Sequence, residues 1–399
     1  MVLSLVCALL SSGCYGAKET DDTAFVLVIG VDTAKEGKSL GTFQIAAPAS
    51  GKQSSGVIYS LFSSTPAESR MLLKSTVSRM PKLTHIRAMV FSEELARSGL
   101  IRSFMTYNIR NRDFREAIFI IVAKGRADEY IRDNKPVLEA NIAEFYEMQL
   151  AEAANSGYFL PATYHDFYTR IKNAGASPYA VYSGINPMTG QNRPAGDRMP
   201  QQTGFPYLSG GLPRDGTGNR VDFSGLAIFR DYTMVGVLDS DETRALSILL
   251  GKFKGSHIGL RDPLRPESNR VMLYIRALQP QITASLSNGQ AGFVITVRLD
   301  ANLEGVTSGI SYEMPAYRPL LEQALATMFQ EQLLAMLAHT QQLGSDPAGL
   351  GLHLRPLFAD TAAMQQADIA ELYRTAVIDV QVKASIRHSG RLWRTQSGS

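Results

Sequence analysis

Cys14 is the residue whose type and position most clearly predict a chemical modification. It follows the small residues Ser11–Gly13, which themselves follow a short apolar run, Val2–Leu10. This order is typical of an export signal that ends in a small-residue cleavage site. A cysteine directly after such a site is typical of a bacterial lipoprotein, in which the thiol receives a diacylglycerol and becomes the new N-terminus. We therefore predict that residues 1–13 are a lipoprotein signal peptide and that Cys14 is lipidated. The alternative is a free thiol in a buried N-terminal strand.

Cleavage before Cys14 would leave the mature chain with a single cysteine. Cys7 is the only other cysteine, and it lies inside the predicted signal. One cysteine excludes an intramolecular disulfide, a cysteine-based zinc site and a redox pair. An acylated Cys14 would also leave no cysteine nucleophile. Two or more acyl chains, at about 0.8 kcal/mol per buried CH₂, would anchor a domain stably to a membrane.

The remaining residues give no catalytic, metal or cofactor set. The histidines show neither H-E-x-x-H nor H-x-H spacing: His85, His165, His257, His339, His353 and His388. No G-x-S-x-G nucleophile elbow is present, and no glycine-rich pattern has the spacing of a phosphate-binding loop. We therefore predict no catalytic, cofactor-binding or metal-binding residues. The chain is predicted not to be an enzyme.

Two acidic stretches have simpler explanations than cation binding. Glu19, Asp21 and Asp22 follow the predicted anchor and fit a solvated stalk. The segment Asp239–Arg244, with the sequence DSDETR, has carboxylates at alternate positions but lacks the central glycine and distal glutamate of an EF-hand loop. A capping box at Asp239 and Glu242, which opens a helix, explains this segment better.

Composition indicates a folded protein of several domains. The chain has 399 residues, of which 45% are hydrophobic and 19% charged, and its formal net charge is +3. A basic stripe for nucleic acid is absent from the linear sequence, so we expect no nucleic-acid partner. After the N-terminus, no uninterrupted apolar stretch reaches the roughly 18 residues that predict a membrane-spanning helix.

Residues 14–125 predict an N-terminal α/β domain with a mixed sheet. Thr65, Pro66 and Glu68 predict the start of a helix, and Ser92 predicts a second helix that ends at Gly99. The order β-β-β-α-β-α-β favours a mixed sheet with helices on one or both faces. Strands are predicted at Thr23–Asp32, Ser39–Pro48, Gly56–Ser63, Ile86–Ser92 and Glu116–Lys124.

The rest of the chain predicts a helical middle and a second α/β domain. Residues 126–185 read as a mostly helical section, and residues 186–220 as a linker or long loop rich in Gly and Pro. Residues 221–390 predict antiparallel hairpins, one of them turning at Asn288–Gly289, and a long helix near residues 315–339 with one apolar face. A final strand alternates apolar and polar residues, and 391–399 form a tail. The fold class is therefore α+β, that is, mixed α/β and multi-domain.

Several separated segments resemble the Ger(x)C family of spore germination proteins. They are the Gly-Cys pair followed by VLVIGVD, then LTHIRAMVFSEELARSGL, then RNRDFREAIFIIVAKG. The hairpin before DSDETR and the segment Ser345–Arg355, SDPAGLGLHLR, are similar to the family's pattern as well. The family usually has Trp-Asp after the lipidated cysteine, whereas this chain has Tyr15-Gly16. Together these segments extend from the signal to the last strand.

The resemblance implies a lipid-anchored, non-enzymatic subunit of a nutrient germinant receptor. Such a lipoprotein, carrying palmitate, would lie on the outer face of the inner spore membrane. It would act with polytopic membrane subunits, one of them permease-like, in sensing or signalling germinants; whether this chain binds the germinant itself stays open. Two alternatives remain: a solute-binding lipoprotein of a transporter, and a surface hydrolase of unknown class. The hairpins of the C-terminal third argue against the first alternative, and the missing motifs argue against the second.

Overall fold

The computed structural model describes residues 22–47, 56–111, 113–139, 141–187, 206–214, 216, 218–267 and 269–388. Cys14, the acidic residues Glu19 and Asp21, most of the predicted linker and the predicted tail lie outside these ranges. Within them, the strands form two sheets, and helices cover one or both faces of each. This arrangement confirms the predicted mixed α+β class.

The first sheet contains nine strands of the described residues. They are β1 (Thr23–Thr33), β2 (Ser39–Ile45), β3 (Val57–Ser63), β4 (Met80–Lys82), β5 (Ala88–Ser92), β6 (Phe119–Lys124), β7 (Tyr179–Ile185), β8 (Val221–Arg230) and β9 (Thr233–Leu238). Their order is β3-β2-β1-β5-β6-β7-β8-β9, and β4 pairs with the start of β1. The central strands β1, β5, β6 and β7 are mutually parallel, and antiparallel strands flank them on both sides. The sheet is therefore mixed, as the sequence predicts.

Helices cover both faces of this first sheet. One face packs against α1 (Pro66–Thr76), α2 (Glu93–Ser98), α3 (Ile101–Asn108) and α7 (Tyr164–Lys172). The other face packs against α4 (Ala127–Asp133), α5 (Ile142–Ala151) and α6 (Ala153–Ser156). Burial on both faces explains why β6 reads as an almost continuous apolar run rather than an alternating one.

The predicted helix starts are present in the structure. Thr65 Oγ1 accepts the backbone N–H of Glu68 at 3.1 Å, with Pro66 in the first turn of α1. The Glu68 carboxylate accepts the N–H of Ser64 at 2.7 Å, one residue before the expected partner. Ser92 caps α2, which ends at Gly99 in the left-handed conformation with φ of 77°. Because these interactions join residues only a few positions apart, residue types and spacing are enough to predict them.

The second sheet forms the other half of the molecule. Its strands are β10 (Ser256–Arg261), β11 (Arg270–Ala277), β12 (Gln281–Ser287), β13 (Gln290–Val306) and β14 (Val377–His388). The order β10-β11-β13-β12 is antiparallel, whereas β14 runs parallel to β13 on its other side. Asn288 and Gly289, with φ of 52° and 76°, form the tight turn between β12 and β13 that the sequence predicts.

A long helix covers one face of the second sheet. It is α9 (Arg318–Gln342), and it buries Leu321, Leu325, Phe329, Leu333 and Leu337 against the sheet. The shorter helices of this half are α8 (Ser240–Leu249), α10 (Thr361–Gln366) and α11 (Ile369–Arg374), with a 3₁₀ segment at Leu350–Leu357. Strand β14 alternates as predicted, with Val380 and Ile386 buried and the polar positions between them largely open to solvent.

Strand pairing crosses the boundaries that the sequence suggests. The hairpin β8–β9 begins the segment 221–390 but pairs with β7 in the first sheet. The helical section 126–185 does not stand apart, since its helices pack on the first sheet and its last strand, β7, joins that sheet. Hydrophobic spacing identifies elements but carries no information about which distant strand each will meet. The division into folding units remains a prediction.

Candidate functional site: a buried carboxylate and cavity between the two sheets

The segment Ser345–Arg355 lies where the two sheets meet. Directly after α9, the Ser345 hydroxyl donates to the carbonyl oxygen of Phe229 in β8 at 2.7 Å. The backbone N–H of Asp346 donates to Ser177 Oγ at 2.8 Å, and the N–H of Ser177 donates back to the Asp346 carbonyl at 2.7 Å. Because Ser177 lies two residues before β7, these three hydrogen bonds join the end of the long helix to β8 and to the segment that leads into β7.

The carboxylate of Asp346 organises the turn that follows it. One oxygen accepts the N–H groups of Gly349 and Leu350 at 2.7 and 3.1 Å, and the other accepts that of Gly351 at 2.7 Å. Burial raises the pKa of Asp346 to about 6, although these hydrogen bonds and the nearby Arg170 charge act to lower it. The carboxylate is therefore largely ionised at pH 7 and held by three backbone donors.

Glycine is required at Gly351 in this turn and at Gly175, which contacts the turn from the segment before β7. A Cβ atom on Gly351 would lie 2.7 Å from the Cα of Gly175, and one on Gly175 would lie 2.7 Å from the carbonyl carbon of Gly351. Gly175 also has a φ of +97°, which side-chain-bearing residues rarely adopt. The spacing Ser-Asp-x-x-Gly-x-Gly therefore describes a close backbone contact between the two halves.

A cavity of about 460 Å³ opens beside this turn. Arg170 is the half-buried cation on its wall, and its guanidinium donates to the carbonyl oxygens of Ser177 at 3.0 Å and Pro347 at 2.9 Å. The same group lies 4.8 Å from the centroid of the Tyr179 ring. These contacts fix Arg170 in place. The lining also includes Arg230, Asp346, Met364, Ile369 and Tyr373. The cavity has the size of a small-molecule site.

A second polar cluster, half-buried except for Arg244, joins α8 to α9. Asp239 caps α8 in the predicted capping box, since its carboxylate accepts the N–H of Glu242, whose own carboxylate accepts the N–H of Asp239. Glu242 also lies 2.6 Å from His339 Nδ1, and burial raises the pKa of Glu242. Asp241 pairs with the buried Arg244 at 2.6 Å. The carboxylates of DSDETR thus serve capping and helix packing.

The described residues contain no group of three or more His, Cys, Asp or Glu side chains that could hold a metal ion. Three of the histidines instead pair with a single glutamate each, at 2.6 to 2.8 Å: His165 with Glu116, His257 with Glu304 and His339 with Glu242. Cys14, the one site residue that the sequence predicts, lies outside the described residues, and its lipidation stays a prediction. Sequence reasoning missed Asp346, Ser177 and Gly175, although the Ser-Asp-x-x-Gly-x-Gly spacing marks the first of these.

Two family models match the chain in succession. The model described as "Spore germination protein N-terminal domain" matches residues 16–184, and "Spore germination B3/ GerAC like, C-terminal" matches residues 224–390. The chain belongs to the Ger(x)C family. Ger(x)C proteins are subunits of spore germinant receptor complexes and are not a known class of enzyme.

Individual relatives support the Ger(x)C assignment over nearly the whole length. YfkR of Bacillus subtilis (strain 168) is 21% identical over 411 aligned residues, which cover 99% of this chain and 98% of YfkR. Spore germination protein B3 of the same organism is 21% identical, covering 86% of this chain and 85% of its own. The crystal structure of the GerBC protein matches the fold with a TM-score of 0.55 and 16% identity, covering 90% of this chain and 96% of that one.

Membership in the Ger(x)C family suggests association with a membrane. Among the helices of the described ranges, none is long and apolar enough to cross a bilayer.

Proposed function

We propose that this chain is the lipid-anchored C subunit of a spore nutrient germinant receptor. The observation that carries the proposal is the succession of two spore germination domain models from residue 16 to residue 390. The anchor is the diacylglycerol, with palmitate, on Cys14. The protein lies on the outer face of the inner spore membrane and acts with polytopic membrane subunits, one of them permease-like.

The role is non-enzymatic. Two carboxylates that a catalytic site could use are engaged in structural contacts: buried Asp346 with three backbone N–H groups, and half-buried Glu242 with a helix cap and His339. A tethered protein is confined to the membrane plane, which raises its effective concentration near membrane partners. Such a subunit contributes to sensing or signalling by contact with its partners rather than by turnover of a substrate.

The anchor is tested by replacing Cys14 in sporulating cells. Cys14→Ala is expected to leave the protein folded and to release it from the membrane fraction after a high-salt wash. Cys7→Ala, which changes the other cysteine of the predicted signal, is the matched control and is expected to leave the protein in that fraction. Retention of the Cys14→Ala protein after the wash would contradict anchoring through this thiol.

The receptor role is tested by deleting the gene in a strain without a paralogue. Spores of the deletion strain are expected to lose the response to a nutrient germinant while still germinating in response to a nutrient-independent trigger. Equal responses to both triggers, at wild-type rates, would contradict the receptor role.

The cavity beside Asp346 supports a second candidate function, the binding of a small solute. Its volume of about 460 Å³ and its mixture of Arg170, Arg230 and apolar side chains suit an amino acid or a sugar. A ligand at 100 times its Kd would stabilise the fold by about 2.7 kcal/mol. A thermal-shift screen with amino acids and sugars is expected to show a rise in Tm for one compound if the cavity binds it. An Arg170→Ala variant should abolish that rise.

A further inference from the structure

The first sheet has two chemically different edges. Because β1, β5, β6 and β7 are parallel, their first residues all lie at one edge, which we call the amino edge, and their last residues lie at the opposite, carboxyl edge. Strand β4 also runs parallel to the start of β1, so Met80 lies beside Thr23. The described chain thus enters the first sheet at the middle of its amino edge.

The amino edge carries three cations that form no ion pair within the described residues, alongside the exposed carboxylates of Asp22 and Glu116. Arg79 directly precedes β4, Lys82 ends it, and Arg115 lies in the segment that leads into β6. Arg79 and Arg115 are exposed and Lys82 is half-buried, and within the described residues none of the three forms an ion pair. Met80 adds a partly exposed apolar side chain between the first two cations.

The carboxyl edge has a different balance of charge: three of its cations lie in ion pairs, and exposed Lys35 and Lys124 form none within the described residues. Its ion pairs are Lys38 with Glu36 at 3.4 Å, Arg97 with Glu93 at 2.7 Å, and Arg126 with Asp128 at 2.8 Å. Exposed Glu94 and Glu129 add further negative charge at this edge. A negatively charged surface would therefore attract the amino edge more strongly than the carboxyl edge.

The length of the N-terminal segment limits which edge can meet the membrane. Eight residues, 15–22, lie between Cys14 and Thr23, and the nine steps from one to the other span about 30 Å in a fully extended chain. A compact protein of this size has a radius of gyration of about 21 Å, so the segment is shorter than the diameter of the molecule. An anchor on Cys14 would therefore keep the start of β1 on the side of the molecule that faces the bilayer.

We propose that the amino edge of the first sheet is a membrane-contact surface, on which Arg79, Lys82 and Arg115 bind the headgroups of anionic phospholipids. The limit on reach rests on the proposed anchor at Cys14, whereas the charge of the edge does not. Unpaired cations close to an anionic leaflet each strengthen binding about fivefold. The contact holds the first sheet upright on the membrane, with its carboxyl edge turned away from the lipid.

The orientation is tested with the chain from residue 14 onward, carrying Cys14→Ser and an N-terminal hexahistidine tag that binds nickel-chelating lipid. A single dye is attached through Ser78→Cys at the amino edge or Glu94→Cys at the carboxyl edge, and energy transfer to an acceptor in the bilayer is measured. Both positions are exposed. The proposal expects clearly higher transfer from position 78 on vesicles that contain phosphatidylglycerol. Equal transfer, or higher transfer from position 94, would overturn it.

The charge contact is tested by flotation of the untagged Cys14→Ser chain with vesicles of 30% phosphatidylglycerol in phosphatidylcholine. Changing all three cations of the amino edge to glutamine is expected to weaken binding about 100-fold. The matched control changes Lys35, Lys38 and Lys124 to glutamine and is expected to stay within threefold of the parent. Equal effects of the two triple variants would overturn the proposal. Neither test uses acylation, so a failed anchor would show in the Cys14→Ala fractionation and leave these results intact.

Discussion

Removal of the Asp346 carboxylate should destabilise the protein by an amount that depends on pH. Asp346→Ala removes the side-chain acceptor of three backbone N–H groups; that of Gly349 keeps the carbonyl oxygen of residue 346 at 3.3 Å, whereas those of Leu350 and Gly351 lose their acceptor. A buried donor that loses its partner costs about 1 to 3 kcal/mol, so the two together cost about 3 kcal/mol. At pH 5, where the carboxyl is mostly protonated and no buried charge is relieved, the expected loss in the free energy of unfolding is therefore about 3 kcal/mol.

The sign of the pH dependence follows from the direction of the pKa shift. Burial raises the pKa of Asp346 from 3.8 to about 6, so the folded protein binds this proton more tightly than the unfolded chain does. The contribution of Asp346 to stability is therefore complete below pH 4 and falls as the pH rises through about 6. Between pH 5 and pH 7.5 the fall is of the order of 1 kcal/mol. The penalty of Asp346→Ala should shrink by a similar amount, to about 2 kcal/mol at pH 7.5.

Urea unfolding followed by circular dichroism at pH 5 and pH 7.5 measures both quantities. The matched control is Asp360→Ala, which removes an exposed cap that accepts one N–H, that of Ala363, at 2.8 Å. This substitution should lower the free energy of unfolding by about 1 kcal/mol or less. If Asp346→Ala cost no more than the control at pH 5, or if its penalty grew with pH, the structural account of this carboxylate would be wrong.

Two further substitutions test the packing of the second half and the junction. Leu333→Ala, at a fully buried position of α9, should lower the free energy of unfolding by about 3 kcal/mol in the same urea titration. Its control is Leu334→Ala, at a position that is 38% exposed, which should lower it by less than about 1 kcal/mol. Gly175→Ala places a Cβ 2.7 Å from the backbone of Gly351 at a positive φ and should lower the free energy of unfolding by about 2 kcal/mol. Its control is Gly259→Ala, where no atom lies within 4 Å of the added Cβ. Similar penalties within either pair would contradict the packing described here.

Local features of the fold could be predicted from the sequence because they depend on short-range spacing. The capping interactions of Thr65, Ser92 and Asp239 join residues three positions apart, so residue types and spacing were sufficient. The turn at Asn288–Gly289 follows from the ease with which both residues adopt positive φ. The apolar face of α9 and the alternation of β14 follow from the periods of helix and strand.

The pairing between distant segments could not be predicted in this way. Strand β8 joins the first sheet by pairing with β7, which ends about 35 residues earlier in the chain. No local sequence pattern predicts that pairing. The same limit applies to the junction. Asp346 and Ser177 are 169 residues apart, and only the folded chain shows that they share two hydrogen bonds. The resemblance of Ser345–Arg355 to the family's pattern likewise gives no information about what this segment contacts.

The junction and the proposed membrane-contact surface lie at the same edge of the first sheet. Ser177 lies two residues before β7, whose first residues lie at the amino edge together with the starts of β1, β5 and β6. The second half is therefore attached to the first sheet at the edge that the proposed anchor keeps near the bilayer. A polytopic partner that contacts the second half close to the membrane would therefore act near the Asp346 turn. Because Ser345 and Asp346 bond directly to β8 and to the segment before β7, we expect a displacement of the end of α9 to move these strands with it.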